Sequence, residues 1–434
     1  MDIGKLNVSI YVESNRVTDV VTSLSRPVEK LTAQLIKQNP KEACSVLPML
    51  FSICGNAHSV AGVYASNLDD DEFSPTQKQV FSARIGLENF REYVLRLHQI
   101  WLFPIKQTHL QSFLKNITEL LLLLEKSEKK LLSESENSTG NLHNLSEKII
   151  LSAKKLEQLW LTKILMHPYL HAVNDDGQTE VNGQTEVNSE TSLTNTCNFL
   201  VWQANLKQTL EQTFGAVSFK LDECLKTRFS SLDYLMSTLP EDDLLSKSAL
   251  ESGVVVTGGA VALINTLEPL GAQVLVNIAV GLLEKSTAIA SDLFERLINN
   301  EASKSTENYA SRELNNLVIS RVNHPHNDES DKTFVTAVRQ AWVYTSRGWL
   351  LHQIEFEENS NPLNWKICAP TDFNFPNGSV GLLNTLLKKV SLNTTQNEQD
   401  IDDERRYQKI KDLASWLIKA IDPCLGYEIQ VMYA

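Results

Sequence analysis

Residues 78–170 carry three long helical patterns in series, and this run constrains the fold more than any other stretch. Val80, Ile85, Leu87, Phe90, Val94, Leu97 and Trp101 recur at helix spacing. Pro104 stops that helix, since its ring removes a backbone donor and fixes φ. Residues 113–132 predict a second helix, with Leu120 to Leu124 apolar all round and so expected to be buried. Residues 145–166 predict a third. Helices of this length in series suggest a bundle at the centre of the fold.

The flanks are different. Leu6, Val8, Ile10 and Val12 alternate, a turn follows at Glu13 to Arg16, and residues 17–24 read as a returning strand. Pro27 then opens a helix with Leu31, Leu35 and Ile36 on its apolar face. Helical patterning resumes over 199–221 and 272–299. From residue 333 the pattern turns β, with two strands around Thr345-Ser346-Arg347-Gly348 and a third over 365–369. Helices over 380–389 and 403–421 follow. The order is α+β. One large domain is expected over 1–434: a β-hairpin at 1–25, a mainly helical 27–299, a flexible loop at 300–332, and a β-section with its closing helix at 333–434.

Two polar stretches interrupt this order. Residues 173–195 contain Gly177-Gln178-Thr179-Glu180-Val181-Asn182, repeated at once from Gly183 to Asn188. Two copies cannot build a solenoid, so a disordered insertion is expected. Residues 300–332 contain His324-Pro325-His326. Two histidines so spaced can ligate metal, but Asn and Asp around a proline read better as loop.

Charge and composition exclude several functions. A net charge of −13 argues against non-specific nucleic-acid binding and against an anionic membrane surface. The first residues lack a basic region followed by an apolar run, so no signal peptide is expected. Six cysteines in 434 residues make no disulfide framework. A cytoplasmic protein with reduced thiols is the expectation. Residues 254–283 are apolar, but Glu268, Pro269 and Gly271 divide them into runs too short for a span of ~20 residues.

Four short segments carry chemistry. The first is Cys54-Gly55-Asn56-Ala57-His58, and the second is Ser346-Arg347-Gly348-Trp349-Leu350-Leu351-His352. The third is Ala369-Pro370-Thr371-Asp372-Phe373-Asn374-Phe375-Pro376, and the fourth is Asp422-Pro423-Cys424-Leu425-Gly426. In this order they resemble the large subunit of nickel-iron hydrogenases. That family has Arg-x-Cys-Gly-x-Cys-x-x-x-His, then Glu-Ala-Pro-Arg-Gly-x-Leu-x-His, then Val-Pro-Thr-x-Trp-Asn-x-x-Pro, then Asp-Pro-Cys-x-x-Cys-x-x-His. Each cysteine motif here keeps one cysteine. Phe51 and Tyr427 stand at the other two sulfur positions, Met49 at the arginine, and Gln430 at the last histidine. Tyr344-Thr345-Ser346 replaces Glu-Ala-Pro.

The resemblance implies a degenerate large-subunit-like fold. It also implies a metal site that has lost half its ligands. A nickel-iron centre of this kind needs four thiolates, in keeping with soft sulfur ligands, and Cys54 with Cys424 cannot supply them. No nickel and no catalysis are therefore expected. Without the last histidine, at which the family's tail is cleaved, the chain is expected to be made already short. The profile is similar to that of hydrogenase expression/formation proteins of the HupK/HoxV type. On that resemblance the chain is an assembly scaffold. It would hold an iron bearing cyanide and carbon monoxide ligands, Fe(CN)2CO, between Cys54 and Cys424, and pass it to the hydrogenase large subunit. Arg347 would face the cyanides through charge-assisted hydrogen bonds. His58 would stand beside the site rather than ligate. Hydrogenase maturation factors would be its partners, with no nucleic acid and no membrane.

Each of these residues also has a plainer reading. Cys54 and Cys424 can be buried structural cysteines, His58 and His352 core residues, and Arg347 one half of a salt bridge. A metal-free docking protein that mimics the large subunit is the alternative function. A working redox enzyme is disfavoured by the cysteine count.

Overall fold

The computed structural model describes residues 4–13, 16–51, 53–67, 73–133, 139–165, 189–214, 272–299, 318–323, 337–357, 362–379, 381–388 and 403–433. The tandem hexapeptide, His324-Pro325-His326 and residues 254–271 lie outside them. Where a single domain is expected, the chain divides into two compact units. One comprises residues 1–72, 210–281 and 316–434; the other comprises 73–209 and 282–315.

Among the described residues the first unit holds two sheets. β1 (Lys5–Glu13) and β2 (Arg16–Ser25) form the expected antiparallel hairpin. Leu6, Val8, Ile10 and Val12 are all buried, as their alternation requires. The third strand of this sheet comes from the other end of the chain. β7 (Tyr427–Tyr433) pairs parallel with β1, from Leu6 opposite Tyr427 to Val12 opposite Tyr433. A parallel pair needs a long crossover, and here the crossover is nearly the whole chain. Gly378 ties β2 to the C-terminal region through a two-way backbone bridge with Thr22.

Helices α1 (Val28–Leu35), α2 (Pro40–Leu50) and α3 (Gly55–Ser66) follow the hairpin. The second sheet is an antiparallel meander of β3 (Val318–Asn323), β4 (Ala337–Thr345), β5 (Gly348–Phe356) and β6 (Pro362–Cys368). β3 falls inside the stretch expected to be a flexible loop. Val318, Ile319 and Val322 favour extended backbone, and pairing with β4 satisfies it. α3 packs on β4 and β5. α3 also lies close against α2 because Gly62 has no side chain: a Cβ there would lie 2.8 Å from Leu47 and 3.0 Å from the Cys44 sulfur.

The second unit is helical. It contains α4 (Pro75–Gln99), α5 (Gln107–Ser133) and α6 (Thr139–Leu159), with a π-turn at Trp160–Ile164. Most of α7 (Ser189–Phe214) and of α8 (Ala272–Asn299) also belongs to it. α4 starts where Ser74 and Gln77 form a reciprocal capping box with Pro75 just inside. Phe90 is the hub of the core, edge-on to Phe113 at 5.2 Å, Trp160 at 4.8 Å and Phe294 at 6.1 Å. Leu120 and Leu124 are buried, but Leu122 is 50% exposed, so α5 is two-faced where it was expected to be apolar all round. Residues 189–195 were expected in the disordered insertion and are the first turns of α7. Ser and Glu are as much at home in a helix's first turn as in a loop, so composition misled.

α8 is long and apolar enough to cross a membrane by length and composition, and 56% of its most apolar window is buried within the protein. The core of a folded domain accounts for such a helix.

Three further helices of the first unit are described: α9 (Pro370–Asn374), α10 (Leu382–Leu387) and α11 (Asp403–Ile421). α11 packs its Ile410, Leu413, Leu417 and Ile421 inward, as their spacing predicts.

Candidate functional site

Cys54 sits at the N-terminus of α3. The chain leaves α2 through a tight turn in which Phe51 O accepts from Cys54 N at 3.2 Å. Cys54 O then accepts the first intrahelical bond of α3, from His58 N at 3.0 Å. The turn needs glycine next: a Cβ on Gly55 would lie 2.7 Å from Pro48 Cα. The i, i+4 spacing puts Cys54 and His58 on one face of the helix.

Cys424 sits at the foot of α11. Asp422 adopts φ 63°, a left-handed conformation that ends the helix, while its N–H still reaches Ile418 O at 2.7 Å. Two residues later Cys424 meets Thr371. The Thr371 hydroxyl accepts from Cys424 N at 3.1 Å and donates to Cys424 Sγ at 3.1 Å. Gly426 O then accepts from Leu6 N at 3.1 Å, which starts the β7 pairing.

The two cysteines line one cavity of about 520 Å³, together with Arg26, His58, Phe51 and Leu425. Lys30 and Gln34 also border it, and most of the remaining wall is apolar. Neither cysteine is in a disulfide. Among the described residues, no three His, Cys, Asp or Glu side chains converge in a way that could hold a metal ion. Among the described residues the cavity thus offers a guest two sulfurs and no third ligand of that kind.

Arg26 supplies the positive charge. Its Nη1 binds Asp372 Oδ2 at 2.7 Å. Burial works against the charged guanidinium, but Asp372 and the sulfurs of Cys424 and Cys368 outweigh it, and its pKa is raised. Asp372 also accepts from Ala369 N at 2.7 Å, so the start of α9 is fixed by the residue that holds Arg26. A second cavity, of about 550 Å³, shares Arg26 and extends past Asp372 and Cys368. Burial and Asp372 push the Cys368 thiol well above its usual range, against the pull of Arg26.

His58 is fully buried. Its ring stacks on Phe51, with centroids 3.7 Å apart, and its Nδ1 lies 2.9 Å from His352 Nε2. His352 Nδ1 in turn accepts from the Trp365 indole N–H at 3.3 Å. Burial, His352 and Arg26 hold His58 well below the ordinary imidazole range, and burial pushes His352 down to about 3. Both rings are neutral at neutral pH.

Cys54, His58 and Cys424 therefore come together from opposite ends of the chain. Arg347 does not join them among the described residues that line the cavity. It is buried, with Nε 3.0 Å from Asp422 Oδ2, and its backbone carbonyl accepts from Asn374 at 3.2 Å. Phe51 fills one place where the resemblance would put sulfur. At the other, the Tyr427 hydroxyl is bonded to Ser415 at 2.8 Å. A resident nickel-iron centre does not fit this residue set. Glu88 and Glu92 are buried within the helical unit.

Arg26 escaped the sequence reading. A lone arginine between a strand and Pro27 carries no motif, and only the fold brings it to Cys424. Thr371 was seen as part of a Pro-Thr match, but its bonds to Cys424 were not.

No protein-family model matches the chain. Curated relatives include the hydrogenase expression/formation protein HupK of Azotobacter vinelandii, 30% identical over 112 residues, 26% of this chain and 33% of that protein. Another is the hydrogenase expression/formation protein HupV of Azotobacter chroococcum mcd 1, 33% identical over 103 residues, 24% of this chain and 30% of that protein. The chain spans about a third of the length of the curated relatives it matches. Among solved structures, the Ni-Fe-Se hydrogenase from D. vulgaris Hildenborough matches with a TM-score of 0.50 at 12% identity, over 95% of this chain and 94% of that chain. The fold is that of a nickel-iron hydrogenase large subunit, mixed helix and strand, as the four segments implied.

Proposed function

We propose that this chain is a non-enzymatic accessory protein of nickel-iron hydrogenase maturation. It holds an iron fragment with cyanide and carbon monoxide ligands as transient cargo and passes it to the hydrogenase large subunit. One observation carries the reading: Cys54 and Cys424 line the same cavity, with a cation and a buried histidine beside them. Iron with strong-field diatomic ligands has few open positions, and two thiolates could fill them. Two-point attachment would release cargo more readily than four. Arg26 takes the role expected of Arg347, since it is the arginine at the cavity and can donate to cyanide nitrogens. The names of the curated relatives support an accessory role in hydrogenase formation. A cytoplasmic setting and contact with maturation factors belong to the same proposal.

The competing reading is a metal-free docking protein that presents a large-subunit surface to maturation factors. The lack of a third convergent His, Cys, Asp or Glu among the described residues favours it. Infrared spectroscopy with iron analysis separates the two. Protein would be purified without air from a host expressing the hydrogenase maturation genes. A carrier shows cyanide and carbonyl bands that vanish in Cys54→Ala and in Cys424→Ala. Iron-free protein without bands, still co-purifying with maturation factors, would leave the docking role.

A further inference from the structure

The Trp365–His352–His58 chain has one direction only. An indole N–H can donate and never accept. Trp365 therefore leaves His352 Nδ1 as an acceptor, at 3.3 Å. Neutral His352 then carries its proton on Nε2, which faces His58 Nδ1 at 2.9 Å. With Nδ1 accepting, neutral His58 must carry its proton on Nε2. That atom is buried and has no partner among the described residues. His58 lines the cavity and His352 is not among its lining residues, so this N–H is the polar group of the His58 ring left unbonded beside the cavity among the described residues.

We propose that His58 is a fixed hydrogen-bond donor to the cavity's guest, with His352 and Trp365 as the residues that fix it. An N–H buried without an acceptor is unfavourable, and a guest atom with a lone pair removes that cost. The guest this selects is an anion with an exposed acceptor, such as a cyanide nitrogen on a metal or a free pseudohalide. Arg26 supplies the charge and His58 the direction. The same logic removes His58 as a metal ligand: Nδ1 is taken by His352, and Nε2 holds the proton. The proposal deepens the carrier reading and rests on it for the guest's identity, but the proton arrangement stands without any cargo.

The test uses the metal-free full chain with nitrogen-15 in its histidines. Long-range nitrogen–proton spectra distinguish the two neutral tautomers, and His58→Gln and His352→Gln assign the signals. Both rings are expected as the Nε2–H form. Trp365→Phe keeps a buried ring without the N–H, and is expected to let both histidines populate the other tautomer while circular dichroism stays unchanged. An Nδ1–H pattern at His58, or a Trp365→Phe variant with tautomers unmoved, would overturn the relay. Thiocyanate, a linear anion with an acceptor nitrogen, is the probe for the donor. It is expected to move the His58 Nε2–H proton downfield, and Arg26→Gln is expected to weaken its binding at least tenfold. A His58 proton indifferent to thiocyanate would overturn the donor role. If the tautomers are as stated and no iron bands ever appear, the carrier reading fails while the relay stands.

Discussion

Thr371 and Cys424 grip each other through two hydrogen bonds of 3.1 Å, one to the Cys424 backbone N–H and one to its sulfur. The neighbouring Asp372 holds Arg26. Two adjacent residues of α9 thus fix both a thiol and the cation of the cavity. This gives the Pro-Thr-Asp segment a physical reason to exist beyond its resemblance to a family motif.

Replacing Thr371 by Val keeps the shape and removes both bonds. The Cys424 N–H is left without its acceptor, so the cost is about 1–3 kcal/mol. Thr371→Ser should recover most of it. Chemical denaturation of the two variants beside the parent chain measures this. Equal stability of all three would show that the pair contributes nothing to folding.

Local patterns made much of this fold legible. The hairpin, the long helices and the β-section follow from alternation, helix spacing and turn residues. Long-range pairing was not legible. β7 looks like any short apolar segment, and only its register against β1 makes it a strand. At the site, Cys54, His58 and Cys424 could be read because their spacing survives from a recognisable pattern. Arg26 could not, because nothing near it in sequence marks it. Arg347 shows the opposite failure: its motif was legible, but Asp422, far along the chain, decides where its charge goes.

In the helical unit, Arg84 and Glu128 form a buried ion pair. Burial pushes the Glu128 carboxyl up, against the pull of Arg84. Arg84→Met leaves that carboxylate in the core without its partner, an expected loss of about 3–5 kcal/mol. Arg84→Met with Glu128→Leu should recover much of it, because neither charge is then stranded. A thermal unfolding series on the single and double variants decides the point. A double variant no better than the single would mean that the cost comes from packing instead.

The buried histidines predict a pH dependence. Both have folded pKa values below the unfolded value of about 6.5, with His352 at about 3. As pH falls below ~6.5 the unfolded chain takes up protons that the folded chain refuses. Their contribution is therefore fully present above that pH and is lost progressively below it. From pH 7.5 to 5.5 the expected loss is about 1 kcal/mol for each histidine. His352→Gln should flatten this slope. Asp19 behaves otherwise. Burial opposes its charge, but bonds from Ser379, Lys388 and Asn384 hold its pKa at about 2, so its contribution fades only below ~3.8. Unfolding free energies at several pH values separate the two windows.

The two arginines of the site separate function from stability. Arg26 lines the cavity and pairs with Asp372, while Arg347 is buried against Asp422. If Arg26 faces the cargo, Arg26→Gln should abolish or strongly reduce the cyanide bands of protein purified with the maturation machinery. Arg347→Gln should instead cost about 3–5 kcal/mol of stability, because Asp422 is left as a buried charge. Cargo should survive in whatever fraction stays folded. Asp422→Asn in the Arg347→Gln background removes the stranded charge and should restore part of the stability. The comparison must be made per folded molecule, with iron and infrared bands normalised to protein of native circular dichroism. Bands lost per folded molecule in Arg347→Gln but kept in Arg26→Gln would return the cargo to Arg347. It would then require the Arg347–Asp422 pair to open when the guest binds.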